Sequence, residues 1–445
     1  MSIIKLLSKK LKRKLFTTPS HNQKPVFDKD VKSFYEIDYS EIDGFDNLAN
    51  PKNSIFLAQG KVADIQNAKQ TFFTTQGATT AILSAMKALI KPKDRVLVAR
   101  NCHKSVFSGL ILTQATIDWF IPECDENWGI YTHIDVDKLN STLELNQYKA
   151  FILTSPTYEG INSDISKISE ICKKHGVYLI VDEAWGALYK FSKNLPKTAL
   201  EQGADVSINS LHKTAGALNQ CAVLNISKNI QNVEIPLFQK AINLFQTTSP
   251  SYPLLKNIEA CYSFLNSKKG KKEVENLISN IQKFKKSLIK YDVEFYEGEN
   301  FDPTKILLRK KGIKGTDLAK ILFEKFDIEE EMSNSTYCLF VCGIGTTKAK
   351  LNYLKNALKK IPSSNYEFEK HTFQPYPMVK IQPHKTFNCE FGFVDKNNCL
   401  HKISNKTIMP YPPGIGLLYP GEAIQNWHKD YLGNDVEVII WNKEQ

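Results

Sequence analysis

The chain has 445 residues, of which 42% are hydrophobic and 24% are charged, and its 58 basic residues give a formal net charge of +11. This composition excludes intrinsic disorder, and the absence of any apolar run of about 18 residues excludes a transmembrane helix. Only four of the basic residues are arginine, the residue that best reads phosphate and guanine, so we expect neither a nucleic-acid nor a membrane partner.

The nine cysteines are scattered, odd in number and without CxxC pairs, and they show no ligand spacing with the histidines. We therefore expect reduced thiols, a cytoplasmic location and no metal site.

The first segment, Met1–Leu15, interleaves Ile and Leu with Lys and Arg, which predicts a basic amphipathic helix that Thr18–Ser20 ends. We expect an N-terminal arm over residues 1–50. An arm that lies on a neighbouring subunit or in solvent is favoured, and a membrane-surface or targeting role is the alternative.

From about Phe72 to Ser227 the sequence alternates short β-rich runs with helical runs such as Gly77–Lys91 and Ile165–His175. This alternation predicts an α/β fold with a mainly parallel sheet in a large domain of residues 51–261. Ligands bind such sheets at the carboxyl ends of the strands. The predicted strands are Thr71–Thr75, Arg95–Ala99, Ile117–Ile121, Ala150–Thr154, Val177–Val181, Val206–Ser210 and Cys221–Asn225.

Beyond Tyr262 the sequence pattern changes to Lys/Glu-rich helical stretches with a few predicted strands, such as Lys305–Arg309 and Tyr337–Val341. We expect a smaller C-terminal α+β domain over residues 262–445. It contains a rigid loop, Met409–Gly416, before a closing helix and strand.

Two residues at predicted strand ends carry the main chemical signal. Lys213, in Ser210-Leu-His-Lys213, is a candidate for an imine-forming amine, because partial burial lowers the pKa of a lysine. Asp182 ends an otherwise apolar strand, where its carboxylate needs a cation such as a protonated pyridine nitrogen. The alternatives are an exposed lysine and a helix N-cap.

Two further elements follow other strands. Gly77, Ala78 and Thr79 open a helix, whose free N–H groups and Thr hydroxyls suit a phosphate, although plain helix capping is the alternative. His103 is a candidate for stacking on a flat aromatic ligand, and a surface histidine is the alternative. A phosphate cradle, an aromatic stacker, a carboxylate and a lysine on one α/β domain together point to pyridoxal 5'-phosphate.

With these elements in place, the sequence resembles the Orn/Lys/Arg decarboxylases, short form, of the aspartate aminotransferase-like fold type I enzymes that use pyridoxal phosphate. The resemblance spans nearly the whole chain. It rests on Thr18-Pro-Ser-His21, Ile37–Leu48, Thr154-Ser-Pro-Thr-Tyr-Glu-Gly160, Asp182-Glu-Ala-Trp185, Ser210-Leu-His-Lys213 and Pro410-Tyr-Pro-Pro-Gly-Ile415.

The resemblance implies that Lys213 forms the Schiff base, that Asp182 pairs with the pyridine nitrogen, and that His103 and Ala184 cover the two ring faces. It assigns the phosphate to Gly77, Ala78 and Thr79 with Ser210 and His212. Lys213 or His212 is the candidate proton donor. Ala78 departs from the serine common in the family, and Trp185 from the usual histidine of short members. A homodimer is also implied.

The expected reaction is decarboxylation of arginine, lysine or ornithine to the corresponding di- or polyamine, with a slight preference for arginine. Arg309 is the only arginine after Lys213, so the carboxylate clamp of an aminotransferase has no obvious source. Glu159 and Glu422 are candidate partners for the distal cation of the substrate. Another pyridoxal-phosphate lyase or aminotransferase, and a degenerate regulatory member that has lost turnover, remain open.

Overall fold

The computed structural model describes residues 2–8, 17–21, 23–24, 28–410 and 413–440. Within these residues the α-helices are α1 (Ile3–Leu7), α2 (Lys32–Tyr35), α3 (Ser54–Gln66), α4 (Gly77–Leu89), α5 (Lys104–Thr113), α6 (Val136–Leu145), α7 (Ile165–Lys174), α8 (Leu211–Thr214), α9 (Ile235–Phe245), α10 (Tyr252–Leu265), α11 (Lys268–Leu288), α12 (Gly315–Phe326), α13 (Lys348–Lys360) and α14 (Pro383–Thr386). The strands are β1 (Gln70–Thr74), β2 (Arg95–Ala99), β3 (Thr116–Phe120), β4 (Cys124–Asp125), β5 (Ile130–Tyr131), β6 (Ala150–Thr154), β7 (Tyr178–Asp182), β8 (Val206–Ser210), β9 (Ala222–Ile226), β10 (Val293–Phe295), β11 (Lys305–Lys310), β12 (Met332–Ser333), β13 (Cys338–Val341), β14 (Phe391–Asp395) and β15 (Asp435–Ile439).

A seven-stranded sheet in the order β1-β9-β8-β7-β6-β2-β3 forms the centre of the large domain. The strands from β8 to β3 in this order run parallel, and β9 lies antiparallel to both of its neighbours. Every residue of β8 and β9 is buried, because elements cover both faces of the sheet. The predicted α/β fold with a mainly parallel sheet is confirmed.

Alternation along each strand divides the core between the two faces of this sheet. Val96 and Val98 of β2 join the apolar cluster that holds α4, α5 and α9. Leu97 and Ala99 join the cluster that holds α6 and α7 on the other face. Burying a large aliphatic side chain stabilises a fold by about 1.5–3 kcal/mol, so both faces anchor the sheet firmly.

The register aligns the strand ends from which site residues project. Thr154 pairs with Asp182 across β6 and β7. Ser210 pairs with Ala222, which in turn pairs with Thr74 across β9 and β1. The segment that follows β1 and the segments that follow the parallel strands therefore meet at one edge of the sheet.

The C-terminal part contains a four-stranded antiparallel sheet in the order β10-β11-β13-β12 and a two-stranded sheet of β14 and β15. β11 and β13 correspond to the two strands predicted there. The expected closing helix is a 3₁₀ helix at Asn426–Tyr431, which precedes β15. The predicted domain boundary at residue 262 falls inside α10.

The N-terminal segment packs on its own chain. Ile3 and Leu7 of α1 are buried, and the backbone N–H of Ile4 donates to the Glu259 carboxylate of α10 at 3.0 Å. The expectation that this arm lies on a neighbouring subunit or in solvent is therefore wrong for α1, and residues 1 and 9–15 of the predicted helix lie outside the described residues. In the described part of the chain, no helix is long and apolar enough to cross a membrane.

Candidate active site

A cavity of about 500 Å³ opens at the carboxyl edge of the parallel strands. Segments after β1, β2, β6, β7 and β8 line it, together with residues from the C-terminal part of the chain. The cavity brings together all the residues to which the sequence assigned the cofactor, namely Gly77, Ala78, Thr79, His103, Asp182, Ala184, Ser210, His212 and Lys213.

Lys213 lies in the short helix α8, directly after β8. Its Nζ is 4.2 Å from the centroid of the Trp185 ring. Burial lowers the pKa of Lys213, and the charges of Asp182 and Glu331 act in the opposite direction. A lowered pKa increases the fraction of free amine at neutral pH, and the free amine is the nucleophile in imine formation.

Asp182 ends β7 and is 4% exposed. Its Oδ1 accepts a hydrogen bond from the backbone N–H of Ala184 at 3.1 Å. The alternative reading as a helix N-cap is wrong, because β7 leads into turns and a 3₁₀ helix at Tyr189–Phe191. The carboxylate faces the cavity, so a cationic group bound there would offset the cost of burying its charge.

His103 is the N-cap of α5, so its ring is oriented by the helix that follows it. Nδ1 accepts from the backbone N–H of Ser105 at 3.3 Å and lies 2.8 Å from the Ser105 Oγ. Burial lowers the pKa of His103, and Asp182 partly opposes this effect. The alternative of a surface histidine is wrong, because His103 lines the cavity.

The start of α4 also lines the cavity. Gly77 has φ of +79°, a left-handed conformation that favours glycine, and no side chain caps the helix that begins there. The Gly77 N–H donates to the Gln220 carbonyl at 2.9 Å, so the N–H groups that follow it in the first turn of α4 are the ones available to an anion. Elsewhere on the cavity lining, the Ser210 Oγ lies 3.2 Å from Nδ1 of His212, and burial and the Lys213 charge lower the pKa of His212.

Among the described residues that line the cavity, two have a buried polar atom without a hydrogen-bond partner. These atoms are the Oδ1 of Asn101 and the Oγ1 of Thr154, and both residues line the cavity. Buried polar atoms are almost always paired, so these atoms are suited to a bound polar molecule. Together with the anion site and the Asp182 carboxylate, they fit a pyridine ring that carries a phosphate.

Comparison with known proteins decides the family. A model of the Orn/Lys/Arg decarboxylase major domain matches residues 4–306, and a model of the C-terminal domain matches residues 366–436. The chain belongs to the Orn/Lys/Arg decarboxylase family. The predicted resemblance, and the predicted function as a carboxy-lyase of a basic amino acid, are thereby confirmed. The family also implies pyridoxal phosphate.

Individual relatives agree with this assignment. An arginine decarboxylase of Bacillus anthracis is 30% identical over 95% of this chain and 90% of its own length. An arginine decarboxylase of Halalkalibacterium halodurans is 29% identical over 94% of this chain and 89% of its own. The crystal structure of a Francisella novicida lysine decarboxylase has a TM-score of 0.83 and 20% identity, and it covers 95% of this chain and 75% of that one. These likenesses also support the fold type I architecture of the decarboxylase.

Sequence reasoning missed several residues of this decarboxylase that line the cavity. Trp185, Tyr158 and Glu331 form one side of it, and the Tyr158 hydroxyl donates to the Glu331 carboxylate at 2.5 Å. The rings of Tyr158 and Trp185 meet edge to face, with centroids 5.1 Å apart. Trp185 and Tyr158 belong to motifs that carry the family resemblance, so a signal for them was present in the sequence. Glu331 ends a run of three glutamates, a pattern typical of a solvated surface.

The two glutamates predicted to bind substrate do not line the cavity. Glu159 is buried and accepts from the Tyr337 hydroxyl at 3.3 Å. Glu422 is 2% exposed and forms an ion pair with Arg100 at 3.1 Å. Their carboxylates are held by the protein itself, so the expected contact with a substrate cation is not made by this arrangement.

Proposed function

We propose that this member of the family decarboxylates arginine and that pyridoxal phosphate is held in the cavity described above. The observation that carries the choice of substrate is the likeness to arginine decarboxylases over 94–95% of the chain. The cavity supports the choice of cofactor, because its lysine, carboxylate and anion site lie together on one edge of the sheet.

When bound, the cofactor would supply an electron sink for the electron pair that remains on the α-carbon when carbon dioxide departs. Lys213 supplies the amine for its covalent attachment. Asp182 would hold a positive charge on the ring nitrogen, and the first turn of α4 would bind the phosphate. His103 and Ala184 would cover the ring on its two faces. Lys213 or His212 returns the proton to the α-carbon.

Glu331 is our candidate for binding the distal cation of the substrate. Its carboxylate lines the cavity and is oriented by the Tyr158 hydroxyl. Charge-assisted hydrogen bonds to a guanidinium are stronger than neutral ones and are often bidentate. This side chain takes the role that the sequence gave to Glu159 and Glu422.

The arginines of the chain support decarboxylation over transamination. None of the described residues that line the cavity is an arginine. Arg309 pairs with Glu294 at 2.8 Å and lies over the Trp128 ring, 4.6 Å from its centroid. A firm clamp on the substrate carboxylate would stabilise the ground state of a bond that must break, so its absence suits the proposed reaction.

The test is a comparison of arginine, lysine and ornithine as substrates of the purified protein loaded with pyridoxal phosphate. We expect carbon dioxide release to be fastest with arginine and to be absent in Lys213→Ala. Faster turnover of lysine or ornithine would contradict the substrate choice, and consumption of an amino donor that depends on a keto acid would favour an aminotransferase.

Glu331→Gln tests the contact with the substrate. Loss of a hydrogen bond to a charged group costs about 1.5–3 kcal/mol, so we expect KM to rise by at least about tenfold. The matched control is Glu329→Gln, because Glu329 is exposed and does not line the cavity. An unchanged KM in Glu331→Gln would remove this assignment.

We also propose a homodimer. The proposal follows the resemblance to a family whose active sites are built at a dimer interface. Sedimentation equilibrium should give twice the mass of the chain, and a monomer at micromolar concentration would contradict the proposal.

A further inference from the structure

A lysine other than Lys213 lies buried behind the cavity wall. Lys305, the first residue of β11, is 0% exposed. Its Nζ donates to the backbone carbonyl of Tyr158 at 2.8 Å and lies 3.5 Å from the centroid of the Trp185 ring. The amine of Lys213 contacts the same indole at 4.2 Å. Two lysine amines therefore share one ring of the active-site wall.

The backbone around Lys305 leaves room for the lysine side chain. Gly160 has φ of +116°, and a Cβ at this position would lie 2.8 Å from the Cγ of Lys305. Asp302 precedes β11, and its Oδ1 is held by the N–H and hydroxyl of Thr304 at 2.8 and 2.7 Å. These contacts fix the start of β11, so the Lys305 side chain reaches Trp185 from a rigid base.

Four charged groups act on the Lys305 amine from the elements around it. Asp302, Glu159 and Glu331 favour its protonated form, and Lys213 opposes it. Burial outweighs the three carboxylates and lowers the pKa of Lys305 to about 7. The amine therefore changes charge close to neutral pH.

We infer that Lys305 is a positioning residue: its amine holds the Tyr158 carbonyl, its positive charge holds Trp185 against the cavity, and loss of a proton releases the indole. The ammonium attracts the face of the indole, and the neutral amine does not. Lys305 contacts the backbone of Tyr158, and the Tyr158 hydroxyl orients Glu331. Lys305 therefore influences the position of the proposed substrate contact. The consequence for turnover rests on the proposed function, but the effect on Trp185 does not.

The first test uses the cofactor-free protein and follows tryptophan fluorescence from about pH 5.5 to pH 9. Below its pKa Lys305 is charged, so we expect a transition with a midpoint near the lowered pKa of about 7. Lys305→Met and Trp185→Phe should both lack this transition. Lys305→Gln, which keeps a donor for the Tyr158 carbonyl but has no titrating charge, should lack it as well.

Two further variants distinguish an effect of the titrating charge of Lys305 from a purely structural role of its side chain. Lys310→Met is the matched control, because Lys310 lies on the same strand, is buried and donates to the Tyr291 carbonyl away from Trp185. It should retain the transition. Lys213→Ala removes the like charge that lowers the pKa of Lys305, so the transition should move to higher pH.

The second test uses the loaded enzyme. We expect Lys305→Met to retain the visible absorbance of the bound cofactor and to lose about tenfold in kcat/KM, the scale set by one desolvated cation–π contact. A transition that persists in both folded Lys305 variants, or that does not move in Lys213→Ala, would overturn the inference. Failure of all three amino acids as substrates, with the fluorescence results as expected, would instead contradict the proposed function alone.

Discussion

The buried pair of Arg100 and Glu422 makes a prediction that separates stability from substrate binding. The Glu422 carboxylate accepts from Arg100 at 3.1 Å, from the Trp119 indole N–H at 2.8 Å and from the Tyr419 backbone N–H at 2.7 Å. Arg100 is 0% exposed, and the rings of Trp119, Tyr376 and Tyr419 lie 4.7–4.8 Å from its guanidinium. The cluster joins β2 to the C-terminal part of the chain.

Glu422→Gln keeps the shape of the side chain and removes its charge. The guanidinium of Arg100 then stays buried without a counter-charge, and such a change costs about 3–5 kcal/mol. We expect the free energy of unfolding to fall by about 3 kcal/mol, because the ring faces and the carbonyls of Gly416 and Leu417 still contact Arg100. KM should not change, because Glu422 does not line the cavity.

Urea unfolding measures the free energy of unfolding, and steady-state decarboxylation measures KM. The control is Glu324→Gln, which breaks a surface pair with Lys320 at 3.9 Å and should cost less than about 1 kcal/mol. In the double variant Arg100→Met/Glu422→Gln, the loss should be smaller than the sum of the two single losses. A loss below about 1 kcal/mol for Glu422→Gln, or a tenfold rise in KM at unchanged stability, would refute this reasoning.

Three further variants test the site and the pH dependence. Lys213→Ala should lack both activity and a visible absorbance band that disappears on reduction with borohydride; a band in this variant would contradict its role as the attachment point. Asp182→Asn should lower kcat by at least about 100-fold, as expected when a preorganised charge is removed, and a near-normal kcat would exclude the proposed pairing. Burial lowers the pKa of His428 to about 4, and its ring accepts from the Gln425 N–H while it contacts the Leu417 carbonyl. Because the folded pKa lies below the unfolded value, stability should fall as the pH drops from about 6.5 towards 4. Thermal unfolding at several pH values should reveal a smaller fall in His428→Gln, and an equal fall would assign the effect to other groups.

Local patterns in the sequence were sufficient for the architecture of the large domain. The seven strands predicted there agree within one residue with β1, β2, β3, β6, β7, β8 and β9. Each strand is short, apolar and bounded by turn or helix signals, so its own residues define it. The rule that ligands bind at the carboxyl ends of parallel strands then selected Asp182 and Lys213, both of which line the cavity.

Sequence patterns did not predict the contacts of side chains whose partners lie far along the chain. Glu422 looked free for a substrate, but it meets Arg100 at a separation of 322 residues. The sequence analysis did not single out Glu331, which meets Tyr158, a residue 173 positions away. Lys305 gave no chemical signal beyond its place in a strand, and its amine lies on Trp185.

Composition, strand and helix patterns and a few motifs therefore predicted the fold, the family and the candidate Schiff-base lysine, Lys213. Only the tertiary structure decided which carboxylates face the cavity and which are held by the protein. The physical reason is that periodicity depends on neighbours in sequence, whereas the burial and charge state of a titratable group depend on every element that packs against it.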